Sequence, residues 1–159
     1  MADPFNNQGS TLYVCETPQN ADLTEAGFKA LTYVKISNVG EMPELGVSTN
    51  ATSYDTTETI VSKQDKGVST AGTGTFACGH DPEDAGQTIL RAIGHPTDKS
   101  NYALARVSAD PQQTTFFYRG KIAGPVTSGG GVEDYVVDTY SIMGNQVPIQ
   151  TVGGITVGG

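Results

Sequence analysis

The nearest approach to a metal-binding cluster in this chain lies at Cys78, His80 and Asp81. Metal sites need several Cys, His or carboxylate ligands at fixed spacing. His95 is the only other histidine of the chain, and no second cluster completes the set. Asp81 is better explained as a helix cap. We therefore expect no metal and no other cofactor, with the two histidines solvated or capping.

The residues that could support catalysis do not match the motif of a known type of catalytic site. The chain has many Ser and Thr but no Gly-x-Ser-x-Gly elbow to activate one of them. Glu133 and Asp134 are neighbours in a predicted strand, so their carboxylates should point to opposite faces. Gly72 and Gly74 precede a strand and not a helix, which argues against a phosphate loop. We expect the chain not to be an enzyme.

One helix is predicted over about residues 82–93. Asp81 is the expected N-cap, Pro82 suits the first helical position, and Gly94 is expected to end the helix in a left-handed conformation. Residues on one stripe should face a larger apolar surface: Ala85, Ile89 and Ile93, with Leu90 beside them. A single short amphipathic helix must lie on sheet, since the rest of the chain offers little else.

The remaining pattern is that of strands and turns. Gly (20) and Thr are abundant and there is no Trp. Runs with strand character, several of them alternating, occur at 11–15, 28–39, 68–79, 101–109, 114–122 and 132–143. The predicted fold class is mainly β: a single antiparallel β-sandwich or barrel with one flanking helix.

The domain organisation follows from composition. Residues 1–9 read as a flexible N-terminal arm, 10–146 as one β-barrel domain, and 147–159 as a Gly-rich tail that cannot form a core. Within the domain, 44–66 is a long hydroxyl-rich arm or hairpin with little to bury. A segment of this kind in a compact domain usually has a function.

Charge excludes several partners. The net charge is −8, which argues against holding nucleic acid and against docking on an anionic membrane. No stretch approaches the ~20 apolar residues of a membrane span, and the polar N-terminus lacks a signal pattern. We expect synthesis in a cytoplasm, with Cys15 and Cys78 as buried, unpaired thiols.

Several segments in order resemble the major tail tube proteins of long, non-contractile-tailed (lambda-like) bacteriophages. The likeness covers about residues 10–150, and the segments around SYD and FYRGKI are the most characteristic. It rests on TLYVC, ISNVGEMPEL, TSYDTTE, GVSTAGTGTFACG, DPEDAGQTILRAI, NYALARVSADPQQTTFFYRGKI and NQVPIQ. Some relatives carry an immunoglobulin-like C-terminal domain, which this sequence lacks, so its role is not carried over.

The resemblance implies a structural virion protein whose hexameric rings stack into a tail tube, the conduit for DNA ejection. It implies as partners copies of itself and other tail proteins (tape measure, tail tip and terminator), with genomic DNA passing through unbound and no membrane. The expected location is the phage tail of the virion, after synthesis and assembly in the bacterial host cytoplasm.

Two sets of residues are candidates for that role. The arm 44–66 should become ordered on a neighbouring subunit, through Leu45, Ser53, Tyr54, Asp55, Thr56 and Ile60. Six subunits at −8 each would carry about −48 per ring, so acidic side chains should line the lumen and repel DNA. The candidates are Glu41, Glu44, Asp134 and Asp138.

Three alternatives remain. The first is a small β-sandwich module that presents the arm to a carbohydrate or receptor, although Tyr54 is the only aromatic there. The second is a tube component of a related secretion or gene-transfer apparatus. The third, an enzyme on a β-barrel, is disfavoured by the missing catalytic set.

Overall fold

Strands dominate the computed structural model, which describes residues 6–58, 60–153 and 155–158. In those residues the two helices are α1 (Glu25–Lys29) and α2 (Ala85–Ile93). The strands are β1 (Thr11–Val14), β2 (Thr32–Ile36), β3 (Val39–Glu41), β4 (Ser48–Tyr54), β5 (Lys63–Thr70), β6 (Thr73–Gly79), β7 (Asn101–Val107), β8 (Thr115–Thr127), β9 (Val137–Gly144), β10 (Ile149–Thr151) and β11 (Thr156–Val157).

Nine strands form one sheet that closes on itself. Its order is β11-β2-β1-β7-β8-β9-β6-β3, with β10 also paired to β8. β2 and β3 lie towards opposite ends of this order, yet only Ser37 and Asn38 separate them in sequence. Three Cα steps span at most about 11 Å, so the two ends must come together as in a barrel. The mainly β class is confirmed; one pair, β11 with β2, is parallel, so the sheet is mixed.

Side chains on both faces of the sheet are buried, in two separate clusters. The larger cluster includes Leu12, Ile36, Phe76 and Leu90. The smaller one lies on the other face around Phe28 and Phe117, whose rings stack with centroids 5.0 Å apart. Because strands such as β7 contribute to both clusters, alternation alone did not reveal which face was the core.

Helix α1 was not predicted, because 16–27 read as a loop and 28–39 as a strand. Thr24 caps it by accepting a hydrogen bond from the Gly27 N–H at 3.1 Å. The helix buries one side chain, Phe28, which covers the smaller cluster. The Tyr33 hydroxyl donates to the Phe28 carbonyl at 2.9 Å and fixes the helix on β2.

The predicted caps of α2 were wrong in detail. Asp84, not Asp81, is the N-cap and accepts from the Gln87 N–H at 3.0 Å. Asp81 instead accepts from the Glu83 N–H, in the turn that precedes the helix. Gly94 does end the helix, but in a right-handed conformation (φ −78°). A Cβ there would lie 2.6 Å from the Gly124 carbonyl oxygen, so close packing explains this glycine.

The buried face of α2 is rotated from the predicted stripe. Ala85 is exposed, and the buried residues are Gly86, Gln87, Leu90 and Ile93. A Cβ on Gly86 would lie 2.2 Å from the Lys35 carbonyl oxygen, so the helix lies directly against β2. The Gln87 side chain donates to the carbonyls of Ser37 (3.0 Å) and Gly79 (2.8 Å), which bridges the two ends of the sheet.

The segment 147–159 is not a free tail over its described residues. β10 pairs with β8, β11 pairs with β2, and Ile149 and Ile155 pack against the smaller cluster. The prediction failed because those contacts are made with strands distant in sequence. Residues 1–5 of the predicted N-terminal arm lie outside the described residues. Further along that arm, Asn7 accepts a hydrogen bond from Arg106 at 2.7 Å.

Among the described residues, neither helix has the length and apolar character that crossing a membrane requires.

Candidate functional surfaces

The two histidines have polar protein neighbours. His80 Nδ1 lies 2.8 Å from Asp138 Oδ2, and His95 Nδ1 lies 2.8 Å from the Thr97 hydroxyl. Cys78 is buried, and its thiol faces the Asp138 carbonyl at 3.8 Å. Searched over residues 6–58, 60–153 and 155–158, the side chains bring no three His, Cys, Asp or Glu together as metal ligands. Cys15 and Cys78 are buried and unpaired, as expected.

Asp138 is fully buried, so the prediction that it lines a lumen was wrong. Its carboxylate accepts from the Thr127 hydroxyl at 2.8 Å besides facing His80. Burial would raise the pKa of Asp138, but the hydrogen bonds from His80 and Thr127 outweigh it, and the pKa lies below its ordinary value. The period-2 alternation placed Asp138 on a strand, but it could not show that His80, 58 positions away in sequence, would contact its carboxylate.

The other three lumen candidates are exposed. Glu41 lies in the edge strand β3, and Glu44 follows shortly after it. Asp134 lies in the turn before β9, not within the strand that had been predicted to begin at residue 132. Val39 pairs with Cys78 and Cys78 with Asp138, so β3 and the start of β9 lie level with each other on either side of β6.

The hydroxyl-rich segment forms a hairpin, β4–β5, that stands apart from the barrel sheet. It occupies 48–70, which is further along the chain than the predicted arm. Each strand pairs with the other in a separate two-stranded sheet. All positions of β4 are exposed and all but one of β5. Large apolar side chains are exposed here too: Tyr54 (79%), Ile60 (99%), Val61 and Val68.

Five of the six arm candidates are exposed on this hairpin or its tip. Ser53 and Tyr54 end β4, opposite Gln64 and Lys63. Asp55, Thr56 and Ile60 lie in the connection between the strands. Leu45 is different, because it is half-buried against the larger core cluster of its own subunit. Part of its surface is therefore used within its own chain, at the base of the hairpin, and its contact with a neighbour stays a prediction.

An isolated two-stranded sheet is marginally stable in water. The hairpin β4–β5 has backbone pairing on one edge of each strand, with side chains exposed to solvent. Exposed strand edges readily pair with another chain. The hairpin is therefore the part of the described structure that gains most from contact with another molecule.

Arg119 is a buried anchor that the sequence did not reveal. Its guanidinium pairs with Asp22 at 2.5 Å and donates to the Gln146 side chain at 2.9 Å and the Asn145 carbonyl at 2.9 Å. The Gln146 side chain in turn accepts from the Leu23 N–H at 2.8 Å. These bonds tie the loop before α1 and the start of the C-terminal segment to β8. Arg119 lies in the FYRGKI run, but that run does not indicate that its guanidinium is buried and makes these contacts.

The fold recurs in components of contractile injection systems. One chain in a six-fold symmetrised cryo-EM structure of the anti-feeding prophage (AFP) baseplate matches with a TM-score of 0.65 and 9% identity, over 95% of this chain and 97% of that one. A chain from the PVC extracellular contractile injection system, in a structure of its sheath/tube terminator in the extended state, matches with a TM-score of 0.62 and 11% identity, over 94% and 98%. At such identities the likeness shows the fold.

No protein-family model matches the sequence, and no curated protein matches it.

Proposed function

We propose that this chain is a self-assembling structural subunit of a phage tail tube, in which six copies form a ring and the rings stack. The observation that carries the proposal is the hairpin β4–β5, exposed along nearly its whole length on an otherwise well-packed barrel. A fold found in tail-like assemblies supports it.

The hairpin would dock on a neighbouring subunit. Pairing of one of its strands or burial of Tyr54 and Ile60 would offset the cost of ordering it. Burying apolar surface contributes roughly 25 cal/mol per Å², so a few such side chains per contact, repeated over many copies, suffice for a cooperative filament. An open-ended stacking contact produces a filament and not a closed particle.

The acidic balance suits a passage for DNA. A wall of like charge repels a polyanion, which lets it slide through without binding. With Asp138 buried, the candidates are Glu41, Glu44 and Asp134, all of them exposed. Partners in this proposal are copies of the chain and the tape measure, tail tip and terminator proteins, in a virion assembled in the bacterial host cytoplasm, with no membrane and no catalytic role.

A second candidate is a tube or baseplate component of a contractile injection system, and the two fold neighbours favour it. Both candidates require rings of this subunit. They differ in what surrounds the tube, since a contractile system adds a sheath. A carbohydrate-binding module is less well supported, because Tyr54 is the one aromatic side chain of the hairpin.

Electron microscopy of the purified protein tests the proposal. At high concentration we expect tubes of uniform diameter with six-fold symmetry in cross-section. A variant in which 48–70 is replaced by a short Gly-Ser linker should keep the melting behaviour of the barrel but form no tubes, because the barrel core lies outside the hairpin.

The control is Glu16→Gln, which leaves the hairpin intact, changes one exposed side chain in the loop after β1 and should assemble normally. Persistent monomers of the folded wild-type protein under all conditions would contradict the proposal, as would tubes from the linker variant.

A further inference from the structure

A cation-rimmed concavity lies beside the end of α2. Its volume is about 530 Å³, and its floor is largely apolar. Pro96, Ile122, Pro125 and Met143 contribute apolar surface, and Arg91, Lys99, Lys121 and Asp98 carry the charges. Three of the nine Lys and Arg residues of a chain with net charge −8 therefore meet at one surface feature. We refer to it as the basic pocket.

Two of the three cations of the basic pocket have no carboxylate partner among the described residues, whereas the charge of Arg91 acts on Asp84 and Asp138. Neither Lys99 nor Lys121 forms an ion pair with a carboxylate of the described residues. Arg91 Nη1 is buried and has no hydrogen-bond acceptor among them. Asp98 is already engaged, since it accepts from the Tyr102 hydroxyl at 2.6 Å and from the Ser100 N–H at 3.0 Å. The unpaired ammonium groups of Lys99 and Lys121 therefore favour an acidic occupant.

The same chain presents a surface with the complementary character. The turn 131–136 between β8 and β9 carries Glu133 and Asp134 with no cation. It also exposes two large apolar side chains fully, Val132 (105%) and Tyr135 (90%). We refer to it as the acidic turn. The apolar and acidic side chains of the acidic turn are therefore complementary to the apolar floor and the cations of the basic pocket.

The acidic turn is held in shape by its own hydrogen bonds. The Gly131 N–H donates to Asp134 Oδ2 at 2.8 Å, and the Asp134 N–H donates back to the Gly131 carbonyl at 3.2 Å. Across its base, the Val137 N–H donates to the Ser128 hydroxyl at 2.9 Å. Exposed apolar groups fixed in this way lose little entropy on binding, which favours affinity.

From this complementarity we propose that the acidic turn of one copy occupies the basic pocket of the next. In this arrangement each copy offers its pocket to one neighbour and its turn to another, so the contact is head-to-tail and can propagate around a ring; a reciprocal exchange between two copies would close as a dimer. The inference rests on the proposed self-assembly and assigns to it a specific contact between neighbouring copies, separate from the hairpin. It removes Asp134 from the lumen candidates, because its carboxylate then lies at the contact, and leaves Glu41 and Glu44.

A charge-swap experiment tests this contact. The pocket variant carries Lys99→Glu and Lys121→Glu, and the turn variant carries Glu133→Lys and Asp134→Asn, the latter keeping an oxygen that accepts from Gly131. Each variant alone places like charges together, and we expect tube yield to fall about tenfold or more. An equimolar mixture should assemble, because alternating copies then oppose unlike charges at every contact, and a six-membered ring permits alternation.

The matched control is Lys29→Glu with Lys35→Glu, the same change of net charge outside the pocket, which should assemble as the wild type does. Circular dichroism and thermal unfolding establish that each variant is folded. This is expected because every altered side chain is exposed except that of Lys29, which is partly exposed and pairs with Glu25 in a surface ion pair of little worth to stability. Two results would overturn the proposed contact: a pocket variant that assembles as well as the control, or an equimolar mixture of the folded pocket and turn variants that forms no tubes.

A cross-link separates this inference from the proposed function. In a Lys99→Cys, Tyr135→Cys variant, mild oxidation should give a ladder of dimers, trimers and higher oligomers, because every chain carries both partners; the native cysteines are buried. A ladder in a protein that never forms tubes would contradict the tube proposal alone. Tubes without a ladder, or dimers from Tyr135→Cys alone, would contradict the head-to-tail contact alone.

Discussion

At the scale of single residues, the buried carboxylate of Asp138 is the most consequential charge in the barrel. It joins β9 to the loop after β6 through His80 and to the end of β8 through Thr127. Arg91, Cys78 and Tyr140 are its other titratable neighbours. Burial, together with the charges of Asp138 and Asp84, raises the pKa of Cys78 to about 11, so the thiol stays protonated beside Asp138.

We predict that Asp138→Asn lowers the free energy of unfolding by about 1–3 kcal/mol at neutral pH. The folded pKa of Asp138 lies below its unfolded value of about 3.9. Its ionisation therefore stabilises the fold above that pH, and this contribution is lost as pH falls through the folded pKa. The difference between wild type and variant should narrow in acid, as measured by urea unfolding from pH 7 to pH 3.

The control for this prediction is Asp55→Asn, which changes an exposed carboxylate on the hairpin tip. It should leave stability unchanged at both ends of the pH range. An Asp138→Asn variant as stable as the wild type at pH 7 would show that the carboxylate is not held in its ionised form by these neighbours.

Single residues also show which features could be predicted from the sequence and which could not. The alternation within 68–79 correctly predicted a strand, since period 2 is a local property, and β6 buries Phe76 and Cys78 on one face; the predicted run also includes the end of β5. The burial of Asp138 and the anchoring by Arg119 depend on partners 58 and 97 positions away in sequence, and no local pattern records such pairs. The cap of α2 was misplaced because Asp81 and Asp84 are both capable acceptors three residues apart.

At the scale of elements, α2 was predicted from its apolar spacing and its preceding carboxylates, whereas α1 was missed. Five residues with one buried side chain, Phe28, give too little periodicity to recognise. The β4–β5 hairpin was among the forms expected for the polar segment, because its hydroxyl-rich residues favour strands without offering a core. The two C-terminal strands were not expected, since their short apolar runs are interrupted by glycine.

The contact between α2 and β2 gives a prediction at this scale. Gly86→Ala should lower the free energy of unfolding by about 1–3 kcal/mol, because its Cβ would lie 2.2 Å from the Lys35 carbonyl oxygen and would push the helix from the sheet. Gly40→Ala is the matched control, because no atom lies within 4 Å of its Cβ, and a change within about 0.5 kcal/mol is expected. Thermal unfolding followed by circular dichroism measures both; equal effects would contradict the close approach.

At the scale of the whole molecule, the barrel and the hairpin differ in how much of their backbone hydrogen-bonding capacity is used within the chain. The end strands of the nine-stranded sheet, β11 and β3, have only two and three residues, so its free edges are short, and Gln87 links the β2–β3 connection to the end of β6. The longest unpaired strand edges of the described structure are those of the hairpin. The proposed contact between the basic pocket and the acidic turn adds surface charge as a second determinant of assembly.

Hydrogen–deuterium exchange of the free and the assembled protein measures the central claim, that this subunit is completed by copies of itself. In the free subunit we predict fast exchange of the 48–70 amides and slow exchange of β7, β8 and β9, because local stability follows burial. On assembly the hairpin amides should become protected, while the barrel changes little. Hairpin amides that exchange as fast in the assembled tube as in the free subunit, or that are already protected in a verified monomer, would contradict the account.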